Sequence, residues 1–260
     1  MPIIKKHKPD IHVFIGYDPT QDLAWDVCAR SIKTTSSSFV NIIKLDALEL
    51  RRKGLFDRTW QVEGDSGRWL DLKDGRPFST TFAHSRFIVP EYARYLGIRG
   101  DDVAIFVDSD FVFLDDIHKI LADCPKWRDF PVSVVKHNYT STHKEKMVHA
   151  PQTNYPMKLW SSLMMFNLQH PKTYIKRSQV NCEDGSWLHS FSWLSPSEIG
   201  NIPESWNFIP DHSEERIKQR DIKAIHFTEG TPLMAGYEHC RYAEVFNFNL
   251  RELYRDYATK

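Results

Sequence analysis

The chain has 260 residues, 41% hydrophobic and 26% charged, which is enough to bury a substantial core in one domain. Its 34 basic and 34 acidic residues cancel. That excludes a global field drawing it to nucleic acid, an anionic membrane or a polyanionic substrate, so any charged ligand has to be met locally.

No run approaches the ~18 apolar residues of a membrane helix, and the apolar stretch behind the basic N-terminus is too short for a signal peptide. Peripheral membrane attachment stays open. Cys28, Cys124, Cys182 and Cys240 form no CxxC pair, so a reducing, cytoplasmic setting without a disulfide framework is expected.

Residues 12–16 (HVFIG) are a short apolar run closed by Tyr-Asp-Pro, the pattern of a buried strand ending in a turn. Leu23, Ala24, Val27, Cys28, Ser31 and Ile32 then recur at helical spacing behind Thr20, the expected N-cap. Residues 39–45 (FVNIIKL) supply a second strand, opening a parallel α/β sheet where a nucleotide would be expected. Residues 51–80 lose periodicity and predict a long loop with Trp60 and Trp69 exposed.

Helical spacing returns over residues 81–96, with Pro90 kinking or restarting the helix. Further strands are expected at 103–107 (VAIFV), 132–135, 163–166 and 223–227, and an amphipathic helix at 243–257. The stretch 137–160 has little pattern but carries His137, His143, Lys144, Lys146, His149 and Lys158 among aromatics. It reads as a lid that orders over a bound ligand, with a solvated loop as the alternative.

The chemical centre is VAIFVDSDFVFLDDI, where an apolar strand runs straight into Asp108-Ser109-Asp110. Side chains two apart on an extended backbone face the same way, so both carboxylates can point at one ion. With 21 aspartates in the chain, about two such pairs arise by chance, so position carries the weight. The carboxyl end of a strand is where α/β sheets bind ligands. A polar turn with Asx-type caps is the bland alternative. A haloacid-dehalogenase-like phosphatase using Asp108 as nucleophile is the chemical one, although Phe111-Val112 stands where that superfamily has Gly-Thr.

Across most of its length the chain resembles glycosyltransferase family 8 and related GT-A enzymes through short motifs in family order. HVFIGYD resembles the first nucleotide-binding strand, HSRF the helix whose arginine contacts the donor, and AIFVDSD the strand with the metal-binding acidic pair. SSLMMFN resembles a core strand bordering the donor sugar, IPESWNFI the Leu-Pro-x-x-Trp/Tyr-Asn segment, and IHFTEGTPL the late His-Phe-x-Gly-x-x-Pro motif. The family's Asn-Ala-Gly turn is replaced by Trp160-Ser161-Ser162, and its Asp-Gln-Asp stretch has no clear match near Glu183-Asp184-Gly185.

The resemblance implies a single α/β GT-A domain, Rossmann-like, with a central mostly parallel sheet. Residues 1–135 would bind nucleotide, and residues 136–260 would shape the acceptor side and return His226 to the metal. Asp108, Asp110 and His226 would ligate Mn²⁺ or Mg²⁺, His226 being otherwise a half-buried strand histidine. Arg86 would pair with phosphate or a sugar hydroxyl, or form a helix-surface ion pair, for example with Glu91.

Gly16, Tyr17, Asp18, Ser109 and Ser162 would line the nucleotide-sugar site. Tyr17 would stack on the base and Asp18 would meet base or ribose; both are otherwise turn residues. Lys158 would be a second cation for the diphosphate. His189, with Trp187 and Trp193, would offer sugar-stacking rings or else core packing.

The implied reaction is metal-dependent transfer of a sugar, from a UDP-sugar for preference, to an acceptor hydroxyl with retention of configuration. The favoured acceptor is a glycan or surface-polysaccharide precursor, and a modified DNA base is the minority choice. A non-catalytic nucleotide-sugar binding module is the remaining alternative.

Overall fold

The computed structural model describes residues 9–63, 68–138 and 157–259. The first apolar run forms β1 (Ile11–Tyr17). Asp18 ends it: its carboxylate accepts the Thr20 amide at 2.9 Å, so Asp18 and not Thr20 caps the turn leading into α1 (Asp22–Thr35). The apolar face of α1 buries Ala24, Val27, Cys28 and Ile32. β2 (Asn41–Asp46) pairs parallel with β1, and Asp46 caps α2 (Ala47–Arg52) by the same device.

Residues 51–80 are not the long loop expected. β3 (Trp60–Glu63), β4 (Arg68–Asp71) and β5 (Pro77–Phe78) pair antiparallel in a small sheet. Gln61, Val62 and Glu63 all face solvent, so β3 shows none of the alternation that marks a half-buried strand. Rings anchor it instead: Trp60 meets Trp69 and Phe78 edge-on, at 6.3 and 6.2 Å between centroids. Trp60 and Trp69 are therefore half-buried rather than exposed.

A 3₁₀ turn over Ser85–Ile88 runs into α3 (Val89–Tyr95). Pro90 lies in the first turn of α3, where its missing N–H has no intrahelical partner to lose, so it restarts the helix. β6 (Val103–Val107) is buried throughout and is followed at once by β7 (Phe111–Phe113). The chain continues through α4 (Ile120–Asp123), β8 (Val132–Val134), β9 (Leu163–Asn167), α5 (Arg177–Cys182) and α6 (Gly185–His189). It ends through β10 (Ile199–Asn201), β11 (Ala224–His226) and α7 (Ala243–Ala258). Elements as short as β7, β10, α4 and α5 leave too little sequence for a period to register.

These elements form one mixed α/β domain around a six-stranded sheet of order β10-β8-β9-β6-β1-β2. The sheet is mostly parallel, with β9 antiparallel to both β6 and β8. Side chains alternate across it. Phe14, Phe106, Met164 and Phe166 pack with Val89, Tyr92 and Ala93 of α3 on one face. Val13, Ile15, Ile105 and Met165 pack with Cys28, Ala29 and Ile32 of α1 on the other. β7 pairs with β11 in a separate antiparallel ribbon. Among the described residues no helix is long and apolar enough to cross a membrane, and all four cysteines are free thiols.

Arg58 ties the small sheet to the body. Only 1% exposed, its guanidinium lies 2.5 Å from Asp71 and bonds the Val180 and Glu183 carbonyls on α5 and just beyond it. Gly16, near the end of β1, lets the Phe82 ring approach so closely that a Cβ there would sit 2.5 Å from it. Because Phe82 is itself buried, Gly16→Ala is expected to cost about 1–3 kcal/mol of overpacking strain. Urea unfolding checks this, and an unchanged midpoint would show that the ring can yield.

Candidate active site

The parallel pairing of β1 with β6 brings Ile15 beside Val107, so both strands release their chain at one edge of the sheet. β2 lies on the other flank of β1. The chain therefore leaves β1 for one side while β6 occupies the opposite side, which opens a crevice at the carboxyl ends of the strands. Asp108, Ser109 and Asp110 lie there. The Asp108 amide donates to the Ser162 carbonyl at 3.0 Å, fixing the strand end against β9. Arg86 Nη1 lies 2.9 Å from Asp108 Oδ1 and donates to the Ser161 carbonyl at 3.0 Å. Its guanidinium stands over the Phe106 and Phe82 rings at 5.0 and 5.3 Å. Arg86 is thus buried and paired with Asp108, not with Glu91 on a helix surface.

The third group arrives from far along the chain. In the β7–β11 ribbon His226 stands opposite Phe111, and the Phe227 amide donates to the Asp110 carbonyl at 3.0 Å. The Phe111 ring stacks on the imidazole, with centroids 4.3 Å apart and planes 16° apart. This leaves His226 Nε2 3.3 Å from Asp110 Oδ1. Ligand atoms of Asp108, Asp110 and His226 all lie within 4.8 Å of one another. On the far side of the ring, Nδ1 meets Asn207 Oδ1 at 2.9 Å.

Burial alone would raise the Asp110 carboxyl, but the facing His226 ring, when it carries a proton toward Asp110, and the Arg86 guanidinium outweigh it and hold it below the usual carboxylate range. Asp110 Oδ1 is buried and takes no well-aligned hydrogen bond among the described residues. Two hard carboxylates and one imidazole, converging on one point at the carboxyl end of a strand, match the donor preferences of Mn²⁺ and Mg²⁺. The residues present fit a divalent cation.

The remaining expected residues divide. Asp18 is fully buried; one oxygen accepts from the Thr20 amide and hydroxyl, and the other from the Thr81 amide at 2.8 Å. In this conformation it shapes the crevice mouth without facing a ligand. Gly16 serves the contact with Phe82. One face of the Tyr17 ring is covered by Lys44 Nζ at 3.8 Å, which limits stacking on a base to the other face.

Ser109 is buried between the two aspartates, and Ser162 and Lys158 are buried at the turn before β9. His189 Nδ1 lies 2.8 Å from Ser161 Oγ, and its ring packs edge-on to Phe87. Trp187 and Trp193 pack together and, with Phe87 and Phe191, join the core. Most of the lid expected over residues 137–160, including His143, Lys144, Lys146 and His149, lies outside the described residues. Asn207 received no role from sequence reasoning, although the IPESWNFI segment contains it.

Asp71, Asp74 and His84 form a second group of metal-ligating types. Here Arg58 already stands 2.5 Å from Asp71 and 3.5 Å from Asp74. Burial and the charges of Arg58 and Arg86 push the His84 imidazole well below its ordinary range. A fixed guanidinium among the ligands repels a second cation, so this group is an internal ion-pair network.

No protein-family profile matches the chain. Among solved structures, galactosyltransferase LgtC in complex with donor and acceptor sugar analogues aligns with a TM-score of 0.56 at 16% identity, covering 93% of this chain and 95% of LgtC. The bifunctional glycosyltransferase WbbM gives 0.55 at 16% identity over 96% of this chain, which spans 52% of WbbM. Glycosyltransferase GlyE of Streptococcus pneumoniae TIGR4 gives 0.55 at 10% identity, covering 97% of this chain and 64% of GlyE. The domain is thus an α/β fold of the GT-A type. Protein CDI of Arabidopsis thaliana is 37% identical over 250 residues, covering 94% of this chain and 88% of that protein. The chain belongs to the same family as Protein CDI.

His137, beside the site, has a side chain sealed from solvent. Burial and the nearby His226 and His212 rings, only partly offset by Glu204, lower its pKa to about 4. Between about pH 4 and the ordinary imidazole value near 6.5 the folded state therefore binds fewer protons than the unfolded chain. Stability rises with pH across that window, is complete above it, and is lost on acidification by up to roughly 3 kcal/mol from this group. Urea unfolding across this range is expected to show that slope, and His137→Phe to reduce it to the part left by the other groups held below their ordinary values, His84, His212 and carboxylates such as Glu204.

Proposed function

We propose that this protein is a metal-dependent glycosyltransferase, akin to family 8, that moves a sugar from a nucleotide-sugar donor, a UDP-sugar, to an acceptor hydroxyl with retention of configuration. The observation that carries this reading is the convergence of Asp108, Asp110 and His226 at the carboxyl ends of the sheet, beside the β1–β6 crevice. A nucleoside diphosphate leaves readily only when the charge growing on its β-phosphate is neutralised, and a divalent cation supplies that as a Lewis acid.

Asp108, Asp110 and His226 would hold Mn²⁺ or Mg²⁺. Arg86 would hold Asp108 in place and add positive charge beside the diphosphate, with Lys158 as the second cation. Gly16, Tyr17, Asp18 and Ser109 would form the floor and mouth of the nucleotide site, while Ser162 and His189 would border the donor sugar. Residues 1–135 would bind the nucleotide and residues 136–260 would shape the acceptor side. Retention requires no separate catalytic base, because the departing phosphate oxygen can accept the acceptor's proton on the same face of the sugar. The zero net charge favours a glycan or polysaccharide precursor over DNA as acceptor, since DNA contacts call for a basic face.

A panel of nucleotide sugars screened with Mn²⁺ for thermal stabilisation and for nucleoside diphosphate release tests the reading. UDP-sugars are expected to stabilise the protein and to turn over only with metal. Asp110→Ala, which removes a buried carboxylate without touching the sheet pairing, should retain the wild-type circular dichroism and lose at least ~100-fold in metal-dependent turnover. Phosphate release from monoesters through Asp108 would instead make it a phosphatase, and affinity without turnover a binding module.

A further inference from the structure

The hydrogen bonds behind His226 have only one possible direction. Ser162 Oγ lies 2.6 Å from the Leu159 carbonyl oxygen, which has no proton to give, so the serine hydroxyl must donate there. Ser162 Oγ is then the acceptor in its other contact, 2.9 Å from the Asn207 amide nitrogen. That orients the amide: its NH₂ faces Ser162 and its carbonyl faces His226 Nδ1 at 2.9 Å. A carbonyl only accepts, so Nδ1 carries the hydrogen. A neutral imidazole has a single N–H, which leaves Nε2 bare.

We propose that Ser162 and Asn207 are positioning residues that hold His226 in its Nδ1–H tautomer and so turn the Nε2 lone pair toward Asp110. The inference rests on reading Asp108, Asp110 and His226 as a cation site, since a lone pair facing a carboxylate oxygen 3.3 Å away is the arrangement of two ligands to one ion.

Three further features make the relay secure. Ser162, Asn207 and His226 are each at most 1% exposed, so bulk water does not compete for these groups. Leu159, where the direction originates, has left-handed backbone (φ 67°) and accepts the Ser162 amide at 3.1 Å as well as its hydroxyl. Ser162 also braces the opposite arm of the site, because its own carbonyl takes the Asp108 amide at 3.0 Å. One serine thereby sets the geometry of Asp108 and the tautomer of His226 together.

The test is ¹⁵N NMR of histidine-labelled protein without metal at about pH 8, above the ordinary imidazole titration, with His226 assigned by its loss in His226→Gln. The expected spectrum shows a protonated Nδ1 and a bare Nε2. An Nε2–H form, or an average of the two, overturns the proposal. In Ser162→Ala the amide is free to turn over, so the Nε2–H form should become populated. The Kd for Mn²⁺ alone, followed by electron paramagnetic resonance, should weaken about 10-fold or more. A variant that keeps both the wild-type tautomer and the wild-type Mn²⁺ affinity also overturns it. Wild-type protein that shows the Nδ1–H form yet binds no Mn²⁺ supports the relay and rejects the cation site, so the two readings fail separately.

Discussion

Two carboxylates and an imidazole held within 4.8 Å of one another are the constraint around which this fold is arranged. Like charges at that distance repel strongly once water is removed, so the main chain has to hold them there. It does so from three directions. β6 delivers Asp108 and is pinned to β9 through the Ser162 carbonyl, Arg86 compensates the Asp108 charge from α3's approach, and the β7–β11 ribbon sets His226 beside Asp110. Each fixing bond is made by backbone or by a buried side chain, so little freedom remains at the site. This is the preorganisation that electrostatic chemistry requires.

The apolar layers serve the same end. Phe82 and Phe106 lie under the Arg86 guanidinium, and Phe111 lies flat on the His226 ring. Core rings thus orient the polar groups whose charges they could not compensate. Arg58 plays a parallel part away from the site. A buried cation that neutralises Asp71 and bonds two carbonyls around α5 joins the small β3–β5 sheet to the body, beside the packing of Trp60 on the core.

What the sequence made legible follows the size and periodicity of each element. VAIFV is apolar at every position because β6 is covered on both faces, and the strand stands where expected. β7 escapes notice because it begins directly after Asp110, so its three residues read as a continuation of one motif. β3 has no buried face to alternate, and its anchoring is carried by its own Trp60 against rings on the next two strands. At the site, residue types and motif order were sufficient to nominate Asp108, Asp110 and His226 as a set. They could not supply partners distant in the chain: Arg86 reaches Asp108 rather than nearby Glu91, and Asn207 connects His226 to Ser162. Ser162 stands in the turn where the sequence departs from the pattern it resembles, and its hydroxyl is what gives that departure a physical consequence.

The β7–β11 ribbon joins the middle of the chain to a segment near its end. As the polypeptide leaves the ribosome, both aspartates and the strand bearing them emerge well before the histidine strand exists to pair with them. If Asp108, Asp110 and His226 hold a cation, as proposed, a nascent or truncated chain would offer only a weak acidic pair, and high-affinity capture of the ion would wait for the β7–β11 pairing to close. The cell's metal pool would in this way be drawn upon by finished molecules and not by unfinished ones.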